Sequence, residues 1–168
     1  YERLCEEAGV HICLNRAVDA AFCDAFKPDA LIIAVGSDEL ELPMPVAEGA
    51  WVISIDELYL EDADPGDDVV IIGGGLTGCE CALLMAQQGR NAHLIEMGPE
   101  LAPDANIRHR PILLSQLEEA GVEVLTDARA EAVTLNGVKV SLADGSERTV
   151  GGIGSSVVAA IGRRSRSE

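Results

Sequence analysis

The sequence predicts an α/β fold built on a central parallel sheet, with a β-meander attached. Three observations point there. Short apolar runs alternate with stretches of helical periodicity along most of the chain. The 17 glycines fall mainly where those runs end. Aromatic residues are only 3% of the sequence against 48% apolar, which suits tight-turned α/β packing better than an aromatic-rich sandwich. At 168 residues the chain has room for one domain and part of a second.

The elements follow in order. Tyr1 to Ala8 reads as a helix end capped by Gly9, and Val10 to Leu14 as a strand. Asp19 to Phe26 reads as a helix that Lys27-Pro28 stops, because proline cannot continue it. Ala30 to Val35 is apolar throughout and closes on Gly36, the pattern of a strand buried on both faces. The acidic, proline-containing stretch Asp38 to Gly49 reads as a linker. Trp51 to Ile55 predicts a short strand and Asp56 to Leu60 a short helix.

Val69 to Ile72 then predicts a buried strand and Leu76 to Gln88 a helix, with Leu76, Cys79, Leu83 and Ala86 as its inward face. Asn91 to Ile95 predicts the next strand, Ile107 to Ala120 a helix ended by Gly121, and Val122 to Leu125 a third strand. Ala128 to Thr134, Val138 to Leu142 and Arg148 to Val150 form the meander, turning at Asn136-Gly137 and Asp144-Gly145. Ser156 to Ile161 is a last apolar strand closing on Gly162. The segments Leu31 to Gly36 and Val157 to Gly162 resemble each other, which suggests a nucleotide-binding domain inserted between two crossings to a parent domain. The chain opens on Tyr1 inside a helical pattern and stops just past an apolar strand, and we expect it to be a piece of a longer protein.

Charge excludes one class of partner. A formal net charge of −17 is a poor match for a phosphate backbone, so nucleic acid is not expected as a partner. Arg163, Arg164 and Arg166 cluster only at the end and read as a frayed tail. No apolar run approaches the roughly 18–20 residues of a membrane span, so no membrane partner is expected. The five cysteines (Cys5, Cys13, Cys23, Cys79, Cys81), an odd number without a signal peptide, predict reduced thiols in the cytoplasm. None has CxxC spacing, and Cys79 and Cys81 read as small helix-packing residues. His11, His93 and His109 have no metal-ligand spacing, so no metal site is expected, and His93 reads as a hydrogen-bonded strand residue. Ser37 and Ser115 lack His/Asp partners, and no catalytic residue is assigned.

The chemistry lies in Gly73-Gly74-Gly75-Leu76-Thr77-Gly78, a G-x-G-x-x-G string placed between a strand and a helix. In that context Gly73 allows the tight turn, Gly75 lets a pyrophosphate approach, and Gly78 lets helix pack on strand. Unpaired amides at the helix start would attract the phosphates without lysine or arginine. Glu96 follows Gly78 by eighteen residues at the end of the next strand, where a carboxylate can hold both ribose hydroxyls of an adenosine. No arginine lies within five residues of Glu96, which favours NAD over NADP. These features predict a Rossmann-like dinucleotide-binding domain. Glu80 is open to two readings: stabilisation by the helix dipole, or contact with the nicotinamide end or a neighbouring flavin.

The residues Val69 to Glu80 and Leu94 to Met97 resemble the NAD(H)-binding domain of two-dinucleotide-binding flavoproteins. Within that group, Gly98-Pro99-Glu100-Leu101-Ala102-Pro103-Asp104-Ala105-Asn106 resembles the C-terminal half of NADH:flavin oxidoreductases related to 2-enoate reductase and 2,4-dienoyl-CoA reductase. The resemblance runs from about Leu4 to Arg163. It implies a cofactor-binding set of Gly73 to Gly78, Glu80, Glu96 and Met97, with Gly36 and Gly162 near a flavin dinucleotide. It also implies a division into a partial FAD-type domain and linker (1–50), the NAD(H) domain (51–154) and a return strand with a tail (155–168).

Full-length members of that family carry FAD, an FMN barrel and an iron–sulfur cluster, and reduce activated C=C bonds with electrons from NADH. Here the barrel, the cluster cysteines and the first glycine motif are missing. The expected role is therefore NADH docking for a parent enzyme whose FAD and FMN-barrel domains would be its partners. The alternative from another class is a structural ADP- or AMP-binding module without a redox role.

Overall fold

The computed structural model describes residues 1–166, which divide into two compact units, Tyr1–Val35 and Gly36–Arg166. In the first, α1 (Glu2–Glu7) ends where Gly9 takes φ +74°. α2 (Ala20–Phe26) starts at Asp19, whose carboxylate accepts from the Phe22 amide at 2.8 Å, and stops at Lys27 with φ 51°. The strands expected at 10–14 and 30–35 do not form, and no residue of this unit is buried. A strand needs a neighbour for its backbone groups and a surface to cover. Neither is present within this unit, so Ile32 stays 89% exposed. The likeness between Leu31–Gly36 and Val157–Gly162 therefore does not extend to structure.

The second unit opens with β1 (Ser37–Glu39), which pairs antiparallel with β10 (Arg163–Ser165). This corrects two expectations. The linker begins as a strand, and the terminal arginines are tied down. Arg163 Nη1 donates to Asp56 Oδ1 at 2.7 Å and its Nε to Ser37 Oγ at 2.8 Å, while Arg166 Nε donates to Asp38 Oδ1 at 2.7 Å. Those hydrogen bonds hold the carboxyls of Asp56 and Asp38 below their ordinary range.

The parallel sheet contains β2 (Val52–Ser54), β3 (Asp68–Ile72), β4 (Asn91–Ile95), β5 (Glu123–Leu125) and β9 (Ser156–Ala159), in the order β2-β9-β3-β4-β5. Its strands are apolar on both faces because both are covered. Val69 and Ile71 face the helices α4 (Leu76–Gln87) and α5 (His109–Glu119). Val70 and Ile72 face the meander of β6 (Ala128–Thr134), β7 (Gly137–Leu142) and β8 (Glu147–Val150). A short α3 (Ile55–Leu60) follows β2, opened by a capping box between Ser54 and Glu57.

The inward face of α4 overlaps the expected one at Cys79, with Leu83 and Ala86 partly buried against the same core, and differs at Leu76. Gly78, Cys79, Cys81, Ala82 and Met85 are buried, whereas Leu76 is 38% exposed. Cys79 turns toward the Gly74 carbonyl and the 98–106 segment and Cys81 toward Tyr59 of α3, so both are covered although only two apart. Burial pushes each thiol up to about 11.

At the edge of the sheet where its strands begin, His93 sits between two carboxylates. Its Nδ1 lies 2.6 Å from Glu123 Oε2 and its Nε2 lies 3.0 Å from Asp68 Oδ1. Arg148 on β8 closes the chain onto Glu123 Oε1 at 2.6 Å, and the Ser155 hydroxyl donates to Asp68 Oδ2. This network joins β3, β4, β5 and β8 far along the strands from the glycine segment.

Candidate functional site: a glycine loop beside Glu96

Each glycine of the loop that joins β3 to α4 meets a different constraint. Gly73 adopts φ +110°, and a Cβ there would lie 2.4 Å from the Ala160 carbonyl oxygen. Gly78 is tighter still: a Cβ would come within 1.8 Å of the Gly73 oxygen, so helix and strand touch through backbone alone. Gly75 is the opposite case. It is the N-cap of α4, and a Cβ on it would meet nothing within 4 Å. Its surroundings are open at the positive end of a twelve-residue helix, where amide donors are free of intrahelical partners.

Gly74 is fixed by its neighbours. A Cβ would lie 2.6 Å from Leu101 Cδ2 and 2.7 Å from Glu96 Cβ. Its amide donates to Glu96 Oε2 at 2.7 Å, and its carbonyl accepts from the Ala102 amide at 2.7 Å and from Cys79 Sγ at 3.3 Å. Ala102 reaches it with φ 44°, and Arg110 Nε holds the preceding carbonyl, that of Leu101, at 2.8 Å. The 98–106 segment thus bears on the loop itself. The other carboxylate oxygen of Glu96 accepts from the Gly98 amide at 2.6 Å.

A cavity of about 680 Å³ opens beside this loop. Of the residues singled out in the sequence, Gly73, Gly75, Glu96, Met97 and Gly162 line it. The others lie outside that lining. Leu76, Thr77 and Glu80 occupy exposed positions on α4, and Glu80 is its fifth residue, beyond the first turn where the helix dipole acts most. Gly74 is internal to the loop, and Gly78 is buried in the first turn of α4. Gly36 takes φ +84° and its carbonyl accepts from the Arg166 amide at 3.0 Å, beside the β1–β10 pair.

Sequence reasoning missed two parts of the wall. Pro43, Met44 and Pro45, inside the expected linker, form one side, and Arg129 and Glu131 of β6 form another. A search for arginine near Glu96 along the chain passes over Arg129. It reaches the cavity because the Ala128 amide donates to the Glu96 carbonyl at 3.0 Å, setting the start of β6 beside the end of β4. A change from helical to alternating periodicity after Leu125 was the available signal, but it carries no register.

The family model described as pyridine nucleotide-disulphide oxidoreductase matches residues 3–168. The chain belongs to that family. Its relatives include bilirubin reductase of Mediterraneibacter gnavus, 35% identical over 83% of this chain and 22% of the relative. Dihydrolipoyl dehydrogenase of Bacillus subtilis is 34% identical over 83% of this chain and 30% of its own length. Cinnamate reductase of Clostridium sporogenes is 36% identical over 58% of this chain and 14% of its own.

Among solved structures, 2-naphthoyl-CoA reductase in complex with 2-naphthoyl-CoA superposes with a TM-score of 0.79 over 96% of this chain and 24% of that one. At 24% identity it shows the fold, a Rossmann-like α/β arrangement. The chain spans less than a third of the length of each of these proteins. Membership makes it a module of a flavin-dependent pyridine nucleotide oxidoreductase, with FAD and NAD(P)H as the family's cofactors. Among the described residues no helix is long and apolar enough to cross a membrane.

Proposed function

We propose that this chain is the NADH-docking module of a larger flavin-dependent oxidoreductase that reduces an enoate- or enone-type C=C bond. The observation that carries the docking reading is Gly75. It is open to the cavity at the N-terminus of α4, with Glu96 in the same cavity wall. The loop residues fit a pyrophosphate, because the space a side chain would take at Gly75 is empty while Gly73 and Gly78 hold the turn closed.

When bound, NADH supplies a hydride, and the chemistry belongs to the cofactors of the parent enzyme. The chain's own residues bind and orient. The Gly75 segment would cradle the pyrophosphate, Glu96 and Met97 would border the adenosine ribose, and Ala160 to Gly162 would border the nicotinamide end. Support for the acceptor class comes from the 98–106 segment and from relatives named for the reduction of bilirubin and cinnamate. FMN and an iron–sulfur cluster would belong to the rest of such an enzyme. The apolar, exposed runs 10–14 and 30–35 fit a partial FAD-type domain whose pairing strands lie in that larger protein.

The test is a titration of the chain with NADH, NADPH and ADP, followed by nicotinamide fluorescence and calorimetry. NADH binding more tightly than ADP is the expected result. Equal affinity for ADP and NADH would replace the redox reading with a structural nucleotide site, and binding of none of the three would overturn the dinucleotide reading.

A further inference from the structure

The cavity beside the glycine loop is lined by three charged residues, Glu96, Arg129 and Glu131, so Arg129 is its single cation among the described residues. In a chain with a net charge of −17, one guanidinium on the wall of a site for an anionic cofactor calls for an account. Its place is fixed at the backbone. Ala128, its neighbour, donates to the Glu96 carbonyl at 3.0 Å, and Asp127 donates to the Gly98 carbonyl at 2.9 Å. Arg129 is therefore the second residue of β6, beside the end of β4 that Glu96 follows.

Its side chain is loosely held. The nearest acidic partner, Glu131 Oε1, is 3.8 Å from Arg129 Nε, and the two side chains are 71% and 49% exposed. Such a pair contributes little and leaves the guanidinium free to turn toward a better anion. Glu96, by contrast, is already engaged: its two oxygens accept from the Gly74 and Gly98 amides at 2.7 and 2.6 Å. Those neutral donors leave its negative charge in place, so an anion beside Glu96 needs a compensating cation.

Resting on the dinucleotide reading above, we propose that Arg129 is a specificity-determining residue that recognises a 2′-phosphate on the adenosine ribose. The site then accepts NADPH beside NADH. A planar guanidinium pairs with phosphate through two parallel hydrogen bonds, and an arginine near the ribose-binding acid is the group that accommodates a 2′-phosphate. Arg129 does so from β6, a different element from the loop that follows Glu96.

The test measures dissociation constants for NADH and NADPH in the unaltered chain, Arg129→Met and Arg129→Lys, all at an exposed position where folding is checked by thermal melting. NADPH affinity is expected to fall about tenfold in Arg129→Met, with NADH affinity kept and Arg129→Lys intermediate. Added salt should weaken NADPH more than NADH in the unaltered chain only. An unchanged NADPH/NADH ratio in Arg129→Met, an equal loss of both, or no NADPH binding beside clear NADH binding overturns the assignment. Binding of neither dinucleotide by the unaltered chain overturns the docking reading itself, and this proposal with it.

Discussion

The carboxylate of Glu96 accepts the amide of Gly74 at 2.7 Å, linking the end of β4 to the middle of the glycine loop. Gly98 donates to the second oxygen at 2.6 Å, so Glu96 braces both segments that face the cavity. Glu96→Ala leaves two partly buried amides without their acceptor, at about 1–3 kcal/mol for each one left unpaired. We expect Glu96→Ala to lower the urea midpoint and also to weaken NADH binding. Glu96→Gln keeps one acceptor oxygen and should fall between. An Glu96→Ala variant with unaltered stability would show that the two hydrogen bonds are not held in solution.

Two glycines of one motif should respond in opposite ways to an added side chain. At Gly75 there is open space and φ is −66°, so Gly75→Val should fold normally and lose cofactor affinity. At Gly78 a Cβ would meet the Gly73 oxygen at 1.8 Å, so Gly78→Ala must separate helix from strand. Overpacking of this kind costs about 1–3 kcal/mol or more. Thermal melts and NADH titrations on both variants separate the roles. Undiminished binding by folded Gly75→Val would remove that residue from the phosphate site.

Most of the sheet and its helices were legible because local signals and tertiary context agree there. Val69 to Ile72 is apolar at every position, and both faces are covered. Ala30 to Val35 carries the same local signal and forms no strand, because its backbone finds no partner within its unit. The reverse holds for Ser37–Glu39 and Arg163–Ser165, polar triplets without strand character that pair through a register no local pattern encodes. The same limit applies at the site. Gly73, Gly75 and Glu96 were legible by spacing, whereas Arg129 and the Pro43–Pro45 wall arrive through pairing across the fold.

The thiols offer a direct check on how α4 packs. Cys79 and Cys81 are buried, with thiols pushed up to about 11 by burial, and Cys79 donates to the Gly74 carbonyl. Cys13 is exposed, and Cys5 and Cys23 are partly so. A thiol reagent applied at neutral pH should modify Cys5, Cys13 and Cys23 rapidly and leave the other two until the chain unfolds. Peptide mapping identifies the modified positions. Rapid modification of Cys79 in the native chain would contradict the packing of α4 on the sheet.

Acid should release the network around His93. Asp68 and Glu123 are both held below their ordinary values of 3.8 and 4.5. For Asp68, burial acts in the opposite direction, and the hydrogen bonds from Ser155, His93 and Asn91 outweigh it. For Glu123 the hydrogen bond from Arg148 is the largest influence. A carboxyl lowered in the folded state binds fewer protons there than in the unfolded chain. Its stabilisation is therefore complete above the unfolded value and is lost as pH falls through the folded one. We expect the melting temperature to drop more steeply below about pH 4.5 in the unaltered chain than in a doubly substituted Asp68→Asn, Glu123→Gln variant. Above pH 6 the variant should be the less stable of the two, since Arg148 loses its ion-pair partner Glu123 and His93 loses the two carboxylates that hydrogen-bond to it. Parallel profiles from pH 3 to pH 7 would show that the two carboxylates do not carry the acid sensitivity of the fold.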